Sequence, residues 1–219
     1  MSKPSSQVNF RVVKGAAEII LYGDIGFEIN AREFSDELKA LGDVKKMDIR
    51  INSFGGDVFD GVTIHTRLVE HPADIAVHID GIAASAASLI AMAGKTIKIA
   101  EAGFVMIHDA WTMMMGNAEE MRKQADRLEA VSAQIANIYS KRTGNALTMI
   151  REWMADEREM NAEEALEAGF VTEIFEAERL AAHYDKERHH FKHTPKVLLP
   201  TKRAEADRMV TEMRMGRLK

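Results

Sequence analysis

The stretch DGIAASAASLIAMAG, residues 80–94, is the part of the chain around which the rest is organised. It places Ser85 in a run of Gly and Ala, at the expected junction between a buried strand and a helix. Small side chains there let a substrate backbone approach closely, and the first amides of a helix point outward without partners. Taken alone, the stretch fits either a tightly packed core helix or the seat of a serine nucleophile.

Strands and helices alternate on the amino-terminal side of this stretch. Apolar runs predict strands and apolar residues at helical spacing predict the helices between them, in the order strand 18–23, helix 31–41, strand 47–51, helix 58–70 and strand 75–79. Such alternation with short connections implies parallel strands joined by right-handed crossovers. Loops at the carboxyl ends of such strands carry chemistry. The sequence therefore predicts an α/β fold with Ser85 at a strand end.

The carboxyl-terminal side continues with further short elements. The pattern of apolar residues there predicts strands 96–99 and 104–107, a long helix 117–142, helices 147–155 and 162–168, and a last strand 170–175. A helix of that length exceeds the usual three turns or so, and part of it is expected to protrude towards another subunit.

Three segments of different character follow from this pattern. Residues 1–17 are polar and are predicted to be a flexible N-terminal segment, and residues 18–175 form the folded domain. Residues 176–219 are predicted to be a flexible, basic and His-rich tail. Metal binding by its four histidines is a minor alternative, because a metal site needs fixed geometry; these are His183, His189, His190 and His193.

Composition excludes several classes of function. The 219 residues carry a net charge of -5, which argues against a general nucleic-acid binder. The absence of Cys excludes disulfides, thiolate metal sites and a cysteine nucleophile. No apolar leader or membrane-length apolar run is present, so we expect a cytoplasmic protein without a membrane partner. No phosphate-binding glycine loop followed by Lys occurs, so neither ATP hydrolysis nor a cofactor is predicted.

Parts that a serine nucleophile needs follow other predicted strands. His108 ends an apolar run, FVMIH, and is the natural general base for Ser85. Gly55 and Gly56 could turn an amide towards the site, and the amide of Ala86 would supply a second donor to an oxyanion. Each feature has an ordinary explanation by itself: a surface or core histidine, a tight turn, a packed helix. Their combination favours acyl-transfer chemistry.

Three motifs together resemble a known family. They are INSFGGDVFDG at 51–61, DGIAASAASLIAMAG at 80–94 and FVMIHDAW at 104–111. In this order and at these intervals they resemble the Clp protease proteolytic subunits, and they look closest to the phage branch, the Clp-like head maturation proteases. The resemblance covers about residues 18–175 and implies a ClpP/crotonase-like fold.

The resemblance implies roles for individual residues. Ser85 matches the family nucleophile and His108 its base, while Gly55, Gly56 and Ala86 match the backbone donors of the oxyanion hole.

The acid that orients the histidine falls before the final helix of the family domain. Matching residues 143–171 to that region places Glu157 on it. The Clp subunits carry aspartate there, so neighbouring Asp156 is the alternative, and Glu159 is close. Among other serines, Ser88 is the competing nucleophile but should lie deeper in the helix. Ser53 is expected to hold the glycine loop in place.

The resemblance also implies partners. Peptides and proteins would be the substrates, with scaffold and capsid proteins of a prohead implied by the phage branch. Helix 117–142 would join subunits in a heptameric ring or stacked double ring. Docking features for an unfoldase ATPase are not identifiable, and Phe54 stands where the family usually has Pro. Two rivals share part of this pattern: a crotonase-type acyl-CoA enzyme, and a catalytically inactive head-assembly module.

Overall fold

The structure is a computed structural model that describes residues 8–13 and 16–176. The chain divides into two units, Met1–Glu176 and Ala177–Lys219. The second unit corresponds to the predicted His-rich tail and lies outside the described residues.

The described part of the chain contains eight strands and six helices. The strands are β1 (Val8–Val13), β2 (Ala16–Tyr22), β3 (Lys46–Ser53), β4 (Asp74–Ala84), β5 (Thr96–Ala100), β6 (Phe104–Met106), β7 (Glu159–Asn161) and β8 (Glu173–Phe175). The helices are α1 (Ala31–Ala40), α2 (Val58–Val69), α3 (Ala86–Ala91), α4 (Ala118–Thr143), α5 (Leu147–Ala155) and α6 (Ala162–Glu167).

One twisted sheet organises these elements, with strands in the order β1-β2-β3-β4-β5-β8. The pairs from β2 to β8 are parallel, which confirms the predicted α/β fold, whereas β1 runs antiparallel to β2. Strand β4 is long enough to have two neighbours on one side. Its first half pairs with β5, and its last residues, Ile82–Ala84, pair in parallel with β6. The ends of β4 and β6 therefore lie side by side.

The two faces of the sheet differ in polarity because side chains alternate along each strand. One face is buried and apolar; its central residues, Ile19, Ile49, Val77 and Ile97, are fully buried. The other face carries charged pairs between neighbouring strands. Arg50 binds Asp80, and Lys98 binds Glu173. This alternation is the pattern of a sheet with helices packed on one side.

The helix boundaries are set by side-chain caps. Asn30 Oδ1 accepts from the amides of Arg32 and Glu33, and Asp57 caps α2 in the same manner. Helix α4 begins with a capping box between Asn117 and Glu120. Because such caps bind the first free amides of a helix, the sequence places these starts accurately.

Two strands differ from the sequence-based expectation. The prediction that residues 1–17 are flexible does not hold for Val8–Val13, which forms β1. Pairing along β2 supports this strand, and the ring of Phe10 packs on Phe34 at 5.4 Å between centroids. Strand β7 (Glu159–Asn161) was not predicted, because three residues are too few for a visible alternation and it forms only against β6.

Candidate active site

Ser85 occupies the sharp turn between β4 and α3. Its backbone has φ 53 and ψ -125, a region that residues other than Gly rarely adopt. The turn is held because the Ser85 amide donates to the carbonyl of Met106 at 2.9 Å, which continues the β4–β6 pairing by one residue. A strained backbone that its surroundings hold in place is a common feature of functional sites.

His108 reaches Ser85 from the neighbouring strand end. Its Nε2 atom lies 2.6 Å from Ser85 Oγ, which is a short hydrogen bond. Ala84 is opposite Met106 in the register of the parallel pair, so the chain leaves both strands at the same level. A neutral imidazole in this position can accept the hydroxyl proton of the serine.

The glycine loop lies beside the serine. Ser53 Oγ donates to the carbonyl of Gly23 at 2.6 Å and accepts from the amide of Gly55 at 3.1 Å, so Ser53 holds the loop as expected. Gly55 has φ 98, and a Cβ atom on it would lie 2.7 Å from Ser85 Cβ. Only glycine allows this approach of the loop to the nucleophile.

The two glycines differ in what their amides can do. The Gly55 amide already donates to Ser53, and Gly55 itself is buried. Gly56 is exposed and lies opposite Ile25 in an isolated bridge. The two hydrogen bonds of this bridge are made by the Gly55 carbonyl and the Asp57 amide, and neither uses the Gly56 amide. Within the described residues, the Gly56 amide thus makes no hydrogen bond. Of the two glycines, Gly56 is the one with a donor available to a ligand.

The second donor comes from the start of α3. Ala86 is the first residue of that helix, and the amide of a first helical residue has no partner within the helix. A Cβ atom on Gly55 would lie 3.0 Å from the Ala86 nitrogen, so the glycine loop and this amide are neighbours. The Ala86 amide therefore lies close to both Ser85 and the glycine loop, which is where a donor to an oxyanion is needed.

The residues predicted to include the acid lie in a turn behind His108. The amide of Ile107 donates to the Arg158 carbonyl at 3.1 Å, and the amide of Asp109 donates to the Met154 carbonyl at 3.2 Å. Glu157 lies between these contacts, at φ 50. Its carboxylate and that of Asp156 are exposed, and among the described residues no carboxylate is hydrogen-bonded to His108. The structure thus brings Ser85 and His108 together but leaves the acid unpaired.

Ser88, the competing nucleophile, is unsuited to attack. It is fully buried, and its Oγ donates to the Ser85 carbonyl at 2.7 Å. It also contacts the hydroxyl of Tyr139 at 2.8 Å. Tyr139 was not singled out from the sequence, although it lies one turn after Ile135 on the apolar stripe of α4.

A cleft of ≈ 880 Å³ opens in front of Ser85 and His108. Its walls include exposed apolar side chains: Phe27, Phe54, Phe59, Trp111 and Met114. Helix α4 contributes Arg127, whose guanidinium lies over the ring of Phe59 at 5.4 Å from its centroid. An open, largely apolar cleft next to a serine hydroxyl suits an extended peptide.

Two other kinds of site were sought in the described residues. No group of three or more His, Asp or Glu side chains there could hold a metal ion. Within residues 8–13 and 16–176, no helix is long and apolar enough to cross a membrane.

The fold and the site define a class of protein. A strained serine between strand and helix, a histidine at hydrogen-bond distance and two neighbouring amides on an α/β sheet are the features of a serine-type peptidase.

Comparison with known proteins identifies the family. The family model described as Clp protease matches residues 6–178. The ATP-dependent Clp protease proteolytic subunit 1 of Leifsonia xyli subsp. xyli is 32% identical over 169 residues, which are 75% of this chain and 86% of that protein. Subunit 2 of Mycolicibacterium paratuberculosis is 30% identical over 140 residues, 63% of this chain and 70% of that protein.

A solved structure agrees. A point mutant of ClpP1 from Listeria monocytogenes superposes with a TM-score of 0.66 at 25% identity, over 74% of this chain and 92% of that one. The chain belongs to the Clp protease family.

Proposed function

We propose that this protein is a serine endopeptidase in which Ser85 is the nucleophile and His108 the general base. The observation that carries the proposal is the 2.6 Å contact between His108 Nε2 and Ser85 Oγ at the floor of an open cleft. A hydroxyl is a weak nucleophile until a base takes its proton, and this base lies at the distance that proton transfer needs.

The proposed reaction has two stages. Ser85 Oγ attacks the peptide carbonyl while its proton passes to His108 Nε2, and the amides of Gly56 and Ala86 stabilise the oxyanion. The protonated His108 then gives this proton to the leaving amine, which leaves an acyl-enzyme on Ser85. In the second stage water loses a proton to His108 and attacks the acyl carbon. The bond between that carbon and Ser85 Oγ then breaks, His108 returns the proton to Oγ, and the carboxylic acid product leaves.

Glu157 is the proposed acid that orients His108. It lies in the turn whose backbone bonds hold Ile107 and Asp109 on either side of the histidine. Its side chain is exposed and forms no hydrogen bond to His108 in the structure. A hydrogen bond from Nδ1 to this carboxylate would fix the productive tautomer. Asp156 is the alternative acid in the same turn.

Covalent labelling tests the proposal directly. A fluorophosphonate should modify Ser85 of the full chain, and peptide mapping should locate the adduct there. His108→Ala should remove the labelling because the hydroxyl loses its base. Ser35→Ala, which removes a hydroxyl in α1 and keeps both site residues, should still be labelled. Absence of labelling in every oligomeric state would favour an inactive assembly module. Turnover of an acyl-CoA that survives Ser85→Ala would favour a crotonase-type enzyme.

The substrate is proposed to be an extended polypeptide. Residues 110–116 follow His108 without regular secondary structure and, with the glycine loop, flank the cleft. Backbone pairing with such edges gives affinity with little demand on sequence. The exposed apolar walls favour an apolar side chain next to the cleaved bond, which a panel of peptides differing at that position would measure.

A ring assembly is the second part of the proposal. Residues 118–131 of α4 are exposed except for the half-buried Gln124, Leu128 and Val131. The buried residues of the helix lie only from Ser132 onwards. Met113, Met115 and Met121 add exposed apolar surface nearby. We infer a heptameric ring or stacked double ring joined through α4. Mass measurement in solution tests it, and a monomer would contradict it.

The proposed biological role is head maturation in a phage, with scaffold and capsid precursors as substrates. The combination of the three motifs around Gly55, Ser85 and His108 supports this role. Co-expression with scaffold and capsid proteins should yield cleaved products with the parent chain and none with Ser85→Ala.

Peptide hydrolysis by this chain is proposed to need no ATP. The relatives compared above are named ATP-dependent, but this sequence has no phosphate-binding glycine loop with a following lysine. Peptide cleavage measured with and without ATP should be equal.

A further inference from the structure

We propose that Tyr139 and Ser88 are positioning residues that fix the direction in which the Ala86 amide points into the active site. The proposal rests on the serine peptidase function proposed above. The hydroxyl groups of both residues are buried. They neither bind the substrate nor take part in the bond changes of the reaction.

The two hydroxyls form a directed chain of hydrogen bonds. Ser88 Oγ lies 2.7 Å from the Ser85 carbonyl oxygen, which can only accept, so Ser88 is the donor. The Tyr139 hydroxyl lies 2.8 Å from Ser88 Oγ. Because the single proton of Ser88 is already used, Tyr139 must donate to Ser88. The chain therefore runs from Tyr139 to Ser88 and on to the carbonyl of Ser85.

The surroundings of Tyr139 keep this direction fixed. Its side chain is 1% exposed, and its ring packs against Phe170 with centroids 5.5 Å apart. Burial raises the pKa of the Tyr139 hydroxyl well above its usual range, so the group stays protonated and remains a donor. Among the described residues, Ser88 is the partner of this hydroxyl, so rotation away from it would leave a buried polar group without a hydrogen bond.

The Ser85 carbonyl and the Ala86 amide belong to one planar peptide group and point in opposite directions. Holding the carbonyl inward therefore holds the amide outward, towards the space beside Ser85 Oγ. The carbonyl accepts three donors: the Ser88 amide at 3.0 Å, the Leu89 amide at 3.2 Å and Ser88 Oγ. The first two belong to the helical turn. The third comes from a side chain and connects the peptide group to α4.

This connection affects catalysis more than binding. An oxyanion forms only during the reaction, so the orientation of its donor changes the energy of the transition state and leaves the bound substrate unaffected. The hydrogen bonds along the chain also polarise the peptide group, which strengthens the Ala86 amide as a donor. Helix α4 carries Tyr139 and lines the cleft, so it affects the reaction rate through this chain of hydrogen bonds.

The test compares Tyr139→Phe and Ser88→Ala with Ser35→Ala in the full chain. Ser35 is a matched control because its hydroxyl also donates to a helical carbonyl, that of Ala31 at 2.7 Å, but in α1. The readouts are kcat and KM for a peptide and the affinity for the corresponding peptide aldehyde, whose adduct with Ser85 carries the oxyanion. Thermal melting of each variant shows whether it folds.

In both site variants, kcat and aldehyde affinity should fall on the order of 10-fold, with KM nearly unchanged. This loss is smaller than the roughly 100-fold or greater fall in kcat that follows complete removal of an oxyanion donor. Ser88→Ala should cause the larger losses, because it removes the hydroxyl that donates to the Ser85 carbonyl. Tyr139→Phe keeps that hydroxyl and removes only the group that holds it in place. The double variant should be no worse than Ser88→Ala alone.

Two outcomes would overturn the inference and leave the peptidase proposal intact. The first is an unchanged aldehyde affinity in a folded Tyr139→Phe variant. The second is a loss of kcat and aldehyde affinity in Ser35→Ala that is as large as the loss in the site variants. If the wild-type chain neither cleaves peptide nor reacts with a fluorophosphonate, the peptidase proposal itself has failed.

Discussion

His108 Nε2 lies 2.6 Å from Ser85 Oγ, although 23 positions separate the two residues in the chain. The parallel pairing of β4 with β6 produces this contact. Ile82, Ala83 and Ala84 lie opposite Phe104, Val105 and Met106, and each strand then releases its functional residue at the same edge. Any change that shifts this register would separate the hydroxyl from the imidazole.

Glu157→Gln should lower kcat by about 10- to 100-fold if Glu157 orients His108, because an amide cannot balance the imidazolium charge. The matched variant Asp156→Asn changes the adjacent carboxylate in the same turn and should retain nearly full activity. Steady-state kinetics on a peptide substrate measure both. The reverse order of the two effects would assign the role to Asp156.

Gly55→Ala should abolish activity. Its Cβ atom would lie 2.7 Å from both the Ala84 carbonyl oxygen and Ser85 Cβ, so the nucleophile or the loop must move. Gly42→Ala is the control, since Gly42 also has a positive φ, 65, but no atom lies within 4 Å of the added group. The control should cost about 1 kcal/mol of stability with full activity per folded molecule. Retained activity in Gly55→Ala would contradict the close approach.

Ser53→Ala should slow peptide cleavage through the glycine loop. The hydroxyl joins the Gly23 carbonyl to the Gly55 amide, and its loss leaves a buried amide without a partner. We expect a loss of stability of about 1–3 kcal/mol, measured by urea unfolding, together with a fall in kcat. Ser53→Thr keeps the hydroxyl and should recover most of the activity; if it does not, the bond itself is not what matters.

Stability should fall as the pH rises above 10, in part because of Tyr139. Burial raises the pKa of its hydroxyl in the folded state, so above pH 10 the unfolded chain loses this proton while the folded chain keeps it. The folded state then holds more protons, and the free energy of unfolding decreases by at most about 1.4 kcal/mol per pH unit for this group.

Tyr139→Phe should make the decrease in the free energy of unfolding above pH 10 visibly shallower in urea unfolding. Tyr22 is the matched comparison. Its pKa is also raised, first by partial burial and then by its hydrogen bond to Asp80, but its side chain is partly exposed. Tyr22→Phe should therefore change the slope less. Identical slopes in Tyr139→Phe and wild type would show that this hydroxyl is not buried in solution.

The α/β alternation, the helix starts at residues 31 and 58 and the strand ends beside Gly55, Ser85 and His108 were all predicted from local patterns. These features depend on the spacing of apolar residues and on side chains that bind amides a few positions away. Such information lies within a short segment of the chain, so the sequence by itself determined the fold class and the residues grouped at the site.

Other features exist only between distant segments, and only the tertiary structure decided them. Strand β7 forms because β6 is beside it, and the hydroxyls of Ser88 and Tyr139, 51 positions apart, meet because α4 packs on α3. The choice of Gly56 over Gly55 as a free donor depends on which amide Ser53 already binds. The physical reason is common to all three: a hydrogen bond between remote groups depends on packing and leaves no periodic trace in either segment.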